Sequence, residues 1–149
     1  MRSTIRQYID GYANRSGLTV KLRSSPKIDK LPFPKQRALL RIVQEGLANV
    51  QRHASASFIS VALRWISGRI HLTITDNGRG VEGMSENEER GPLRLGVGIL
   101  GIRTRARQFG GDLKIQSGPQ GTKLHVVVPV GHAPRTASSE TAFSGQVRQ

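Results

Sequence analysis

Hydrophobic residues recur along this chain in two rhythms. Ile5, Tyr8, Ile9 and Tyr12 fall at helical spacing, and Gly17 stands where that helix would end. Leu18, Val20 and Leu22 then alternate with Thr19, Lys21 and Arg23, the period-two mark of a half-buried strand. Residues 24–34 read as a Pro-rich connection. From 35 to 53 the helical rhythm returns, with Leu39, Val43, Leu47 and Val50 along one side and Ile42 beside them. Arg41, Glu45, Asn49 and Arg52 or His53 recur on another side. Gly46 inside this helix costs roughly 1 kcal/mol against Ala, which a close backbone approach would justify.

Ile59, Val61, Leu63 and Trp65 alternate with polar or small residues, as do Ile70, Leu72 and Ile74. Ser67-Gly68 between them predicts an antiparallel hairpin. Asp76 continues the Ile70-Leu72-Ile74 parity, so its carboxylate points to the core side at the strand's end. Residues 81–97 are polar and aperiodic, long enough for a lid. Ile99, Ile102, Ala106 and Phe109 mark a helix over 98–109, closed by Gly110-Gly111. Leu113, Ile115 and Ser117 form a strand. Thr122, Leu124, Val126 and Val128 share one face of the last, so Thr122 points inward as Asp76 does. The pattern predicts an α/β (α+β) two-layer sandwich, with three helices on one face of a mixed five-stranded sheet. Residues 1–130 form one domain, and 131–149 read as a disordered tail.

Composition narrows the picture. The 149 residues contain no Cys, which excludes disulfides, thiolate metal sites and thiol catalysis. No apolar run reaches membrane length and no signal-peptide pattern opens the chain; the absence of Cys fits a reducing cytoplasm, including the cytoplasmic part of a membrane-bound sensor. The formal charge is +13, but Lys and Arg are scattered with little aromatic interleaving. That favours a solvated basic surface facing an acidic partner or polyphosphate over a nucleic-acid reader. Acidic residues gather instead at Glu82, Glu86, Glu88 and Glu89. His71 and His125 fall on the outward parity of their strands, and His132 lies in the tail.

The candidate chemistry sits in two glycine clusters. Asp76-Asn77-Gly78-Arg79-Gly80 turns the chain after a carboxylate, and Gly96-Val97-Gly98-Ile99-Leu100-Gly101 opens a helix. Glycines let backbone N–H groups approach a ligand, and a helix N-terminus attracts anions. Together they suggest a nucleotide. Each residue also has an ordinary alternative: Asp76 as a turn acid, Asn49 as a local hydrogen-bonder, Glu45 on a solvated face, Gly98 and Gly101 for tight packing.

These segments, with the helix that carries Glu45 and Asn49, resemble the boxes of GHKL-type ATPases, in the same order. Glu45-Gly46-Leu47-Ala48-Asn49 is similar to the N box, Asp76–Gly80 to the G1 box, Gly96–Gly101 to the G2 box, and Gly121-Thr122 to the closing Gly-Thr. The wording from Arg41 to Ala54, with Gly101–Ala106 and Phe109-Gly110-Gly111, is similar to the catalytic ATP-binding domain of two-component sensor histidine kinases. It is closest to the branch paired with helix-turn-helix response regulators. The resemblance implies a Bergerat-type fold that binds Mg²⁺-ATP.

It also implies roles. Asp76 would accept from the adenine amine, within a loop shaped by Gly78 and Gly80, and Thr122 would complete adenine recognition. Asn49 would give an oxygen to Mg²⁺, and Glu45 would act as general base or water organiser. The backbone of Gly96, Val97, Gly98, Ile99, Leu100 and Gly101 would cradle phosphates, with His53 or Arg52 touching them. The γ-phosphate would pass to a His on a separate dimerisation domain, for signalling to a response regulator. The chain lacks that helical hairpin and begins with the short helix preceding the ATP domain. It is therefore expected to be a monomeric excised domain, or the C-terminal part of a larger kinase, that does not phosphorylate itself. No nucleic acid and no membrane contact are expected for this segment. A free-standing anti-sigma-type serine kinase and a basic regulatory module with a vestigial nucleotide site are the alternatives.

Overall fold

The computed structural model describes residues 1–53, 55–80 and 97–131, without the side chains of His53 and Val97. The expected lid, apart from its last residue, and residues 132–149 of the expected tail lie outside these residues. The elements run α1 (Arg2–Ser16), β1 (Thr19–Ser24), a 3-10 turn (Pro26–Lys30), α2 (Phe33–His53), β2 (Phe58–Ile66), β3 (Arg69–Asp76), α3 (Val97–Gln108), β4 (Asp112–Gly118) and β5 (Gly121–Pro129). One five-stranded sheet has the order β1-β2-β3-β5-β4. β1 pairs parallel with β2, and every other pair is antiparallel. The mixed sheet and three α-helices are those the periodicity predicts.

Local chemistry explains the boundaries. Gly17 ends α1 in a left-handed conformation, φ 72°, and its N–H donates to the Ala13 carbonyl. Ser67 and Gly68 both take positive φ in the β2–β3 turn, which matches the twist of the hairpin. The Pro-rich connection contains the 3-10 turn, whose Ile28 is fully buried.

The helices cover one face of the sheet. Ile5, Ile9 and Tyr12 of α1, Leu39, Ile42, Val43, Leu47 and Val50 of α2, and Ile99, Ile102 and Ala106 of α3 share one core with the inward residues of β2, β3, β4 and β5. The Ile70-Leu72-Ile74-Asp76 parity holds, since all four are buried. The opposite face carries no helix among the described residues. His71 and His125 lie on it, half-buried against one another.

Two residues of α2 fix its seat on the sheet. Gly46 sits where the helix presses on β3 and β5: a Cβ there would run into Ile74, with Leu124 at 3.7 Å. The close approach that would justify this glycine is therefore present. Lys35 is only 2% exposed. Its ammonium donates to the carbonyls of Pro129 and Val130, both at 2.7 Å, and lies 5.6 Å from the Phe109 ring centroid. Burial pushes its pKa down. This clasp ties the end of β5 to the start of α2.

Candidate functional site

The site is built at the end of β3. Asp76 is 6% exposed, because strand parity turns it towards the helices. A carboxylate taken out of water needs donors. The Gly78 N–H donates to Asp76 Oδ1 at 2.8 Å, and the Thr122 N–H approaches the same oxygen at 3.4 Å. Both contacts use Oδ1, and among the described residues no donor meets Oδ2. Burial raises the Asp76 pKa, against the opposing pull of these two amides. An exchangeable donor from a ligand would restore the ionised form.

The loop after Asp76 is held from two sides. Asn77 Oδ1 accepts from the N–H groups of Ser57 and Phe58, both at 3.0 Å, and its Nδ2 donates to Ser57 Oγ at 2.9 Å. Its own N–H donates to the Phe58 carbonyl at 3.2 Å. Gly80, with φ 75°, packs on the Gly118 carbonyl and Ser117 Oγ. Gly121 lies against the Asp76 carbonyl, at a distance only a glycine permits. Thr122 is 7% exposed and its hydroxyl is 2.9 Å from Ser117 Oγ. Asp76, Ser117 and Thr122 line an open cavity of about 400 Å³ together with the β4–β5 turn.

The second half of the site is the meeting of α2 and α3. Glu45 and Asn49 are half-buried and one turn apart on α2. Glu45 Oε2 lies 3.0 Å, and Arg52 Nη2 3.9 Å, from the point where a Cβ on Gly98 would stand. The first turn of α3 thus faces Glu45 and Arg52. A helix's first N–H groups have no intrahelical acceptor and carry the positive end of its dipole. Ile99 of this turn is buried in the core, whereas Leu100 is 58% exposed. Val97, Gly98, Ile99, Leu100 and Gly101 are helical, so an anion here would meet a helix end more than a free glycine loop.

The described lining of the cavity reaches neither Glu45 nor Asn49. What joins the two halves is α1 and the packing of α2 on β3. The Tyr12 hydroxyl donates to the Leu47 carbonyl at 2.9 Å, two residues before Asn49. Burial, then Tyr8, then the Asp76 charge raise the Tyr12 pKa, so this hydroxyl lies within the field of Asp76.

Gly96 and the His53 side chain lie outside the described residues. Arg52, its neighbour, is the residue found beside α3. From Glu45 to Arg52 is seven residues, about 20° short of two helical turns, which keeps both on one face. Sequence reasoning misses the roles of Ser117, Asn77 and Tyr12. Inward parity was available for Ser117, and helical spacing only for Tyr12's burial.

Residues 35–132 match the family model described as histidine kinase-, DNA gyrase B-, and HSP90-like ATPase. The sensor histidine kinase MctS of Rhizobium johnstonii is 36% identical over 118 residues, covering 79% of this chain and 25% of MctS. The signal transduction histidine-protein kinase/phosphatase DegS of Brevibacillus brevis is 27% identical over 128 residues, 85% of this chain and 32% of DegS. The chain thus spans about a quarter to a third of the length of these curated relatives. Among solved structures, the histidine kinase domain of the blue-light activated histidine kinase from Erythrobacter litoralis EL346 has the same fold. Its TM-score is 0.70 at 18% identity, over 86% of this chain and 60% of that one. With a family model matched across most of its length and sensor histidine kinases as relatives, the chain belongs to the histidine kinase-, DNA gyrase B- and HSP90-like ATPases.

Proposed function

We propose that residues 1–130 form the ATP-binding catalytic domain of a sensor histidine kinase working in the cytoplasm. It binds Mg²⁺-ATP and presents the γ-phosphate to a histidine on a separate dimerisation domain, for relay to a response regulator. The observation that carries this reading is Asp76: a buried carboxylate whose Oδ1 is held by two backbone amides, beside a cavity of about 400 Å³. A rigidly held carboxylate acceptor suits the exocyclic amine of adenine and disfavours the carbonyl that guanine has there.

Thr122, paired with Ser117, would complete recognition of the base. Glu45 and Arg52 flank the first turn of α3. The amides of that turn and the Arg52 guanidinium would hold phosphate oxygens. The donor set also fits Mg²⁺, which takes few protein oxygens: Asn49 offers a carbonyl oxygen one turn from the Glu45 carboxylate. When bound, the ion neutralises phosphate charge. Glu45 is then the base or water organiser beside the transferring group. Catalysis in this scheme is mostly positioning.

The test is titration of the chain with ATP, ADP and GTP, with and without Mg²⁺, followed by phosphotransfer to a His-bearing dimerisation fragment. ATP binding tightened by Mg²⁺, weaker GTP binding and acid-labile phosphohistidine on the fragment are expected. Absence of ATP binding, or phosphoserine on an antagonist protein with none on the histidine fragment, overturns the reading.

A further inference from the structure

Thr75 and Lys123, at one end of the helix-free face of the sheet, also line the cavity beside Asp76; the rest of that face has a composition that the nucleotide site does not require. Strand alternation turns Lys21, Arg23, Arg64, Arg69, Lys114 and Lys123 onto it. The carboxylate among the described residues of this face is Asp112, and Arg107 already pairs with it at 3.5 Å. The charges are not evenly spread. Ser60 and Ala62 of β2 lie opposite Thr75 and Thr73 of β3, making a floor of small side chains along the middle of the sheet. Lys21 and Arg23 of β1 border this floor on one side, in register with Ser60 and Ala62. Lys123 of β5 borders it on the other, in register with Thr75, with Lys114 of β4 beyond.

β1 and β5 are three strand spacings apart, roughly 14 Å. An α-helix with its side chains is about 10–12 Å across. We propose that this face is a docking surface for an acidic helix of a partner protein, seated between the β1 and β5 cations. The small floor takes the helix's Ala-sized stripe, and carboxylates on its two flanks meet the two cationic borders. A nucleic-acid backbone offers nothing to the methyl groups of Ala62, Thr73 and Thr75, which favours the helix.

The histidine pair stands at the end of the same floor. His71 Nδ1 and His125 Nε2 are 3.1 Å apart, with stacked rings. Facing them are Arg64 across from His71, Lys114 across from His125, and Lys123 and Asp112 alongside. Burial, His71, Lys123 and Lys114 hold the His125 pKa down. Carboxylates docked among these cations reverse that field, so docking takes up a proton and tightens as the pH falls.

The experiment uses the 149-residue chain and a labelled, stapled helical peptide bearing Glu on both flanks of an Ala stripe. The comparators are the same composition broken by Pro and a duplex DNA of equal charge. Lys21→Gln/Arg23→Gln/Lys114→Gln/Lys123→Gln should weaken peptide binding by at least about 10-fold. The exposed helix-side set Arg6→Gln/Arg15→Gln/Lys27→Gln/Arg37→Gln removes the same charge and should change it by less than about threefold. Affinity should rise as the pH falls from about 8 to about 6, and His125→Gln should flatten that rise. Equal losses in the two sets, equal binding of the Pro-broken peptide, tighter binding of duplex DNA, or a pH response unchanged in His125→Gln would each overturn the proposal.

Discussion

Replacing Asp76 by Asn separates what this side chain does for the fold from what it does for a nucleotide. In the structure both backbone donors, Gly78 N–H at 2.8 Å and Thr122 N–H at 3.4 Å, use Oδ1. Asn keeps an oxygen there, so Asp76→Asn should stay within about 1 kcal/mol of the parent in stability. Asp76→Ala leaves the Gly78 amide buried without an acceptor, at a cost of roughly 1–3 kcal/mol, with a smaller addition from the longer Thr122 contact. Ligand binding should behave differently. Asp76→Asn loses the charged acceptor and sets an amide donor against the adenine amine. A hydrogen bond to a charged group contributes about 1.5–3 kcal/mol, so ATP affinity should fall by about 10- to 150-fold in both variants.

The pH response carries the same logic. Burial raises the Asp76 pKa, so the folded chain keeps a proton that the unfolded chain has released. Ligand-free stability therefore falls as pH rises from the ordinary carboxylate range through that raised value, and Asp76→Asn flattens this slope. With Asp76 in the proposed role, ATP capture should need the ionised form and weaken as pH falls through the same range. Urea unfolding and calorimetric titration across pH measure both. Wild-type ATP affinity in Asp76→Asn would remove this residue from the site. An Asn variant as unstable as the Ala variant would show that the Oδ1 contacts do not hold the loop.

Glu45→Gln should retain ATP binding and lower single-turnover transfer to a histidine fragment by about 10²–10⁴-fold; an unchanged rate would assign the base elsewhere. Asn77→Ala strips acceptors from Ser57 and Phe58, so it should cost about 1–2 kcal/mol in urea unfolding and weaken ATP binding although Asp76 is untouched. Gly46→Ala drives a methyl into Ile74 and should cost about 1–3 kcal/mol, partly recovered by adding Ile74→Val; equal melting temperatures for Gly46→Ala and the parent would argue that α2 shifts freely.

Much of this is legible in the chain. Period-two parity gives Asp76 and Thr122 their inward direction, and the helical rhythm gives the buried side of α2. Parity fixes which way a strand residue points but not which strand lies beside it. The insertion of β5 between β3 and β4 is a long-range choice, invisible to local periodicity. Lys35 escapes because a charged residue at a helix start reads as solvated, and only the folded chain brings the Pro129 and Val130 carbonyls to it. Helical spacing marks Tyr12 as core but says nothing of a hydroxyl aimed at the Leu47 carbonyl. Periodicity alone does not bring Arg52 to α3, because the position of α3 beside α2 is a long-range outcome.

The Tyr12 contact sets a lower limit on how far the domain can be trimmed. The family match begins at residue 35, yet α1 supplies Ile5, Ile9 and Tyr12 to the interior. A fragment starting at the matched span would expose the apolar backs of β2 and α2 to water. It would also leave the Leu47 carbonyl without its phenol donor, two residues before Asn49. The first sixteen residues thus act as a chock beneath α2, and expression trials should keep them.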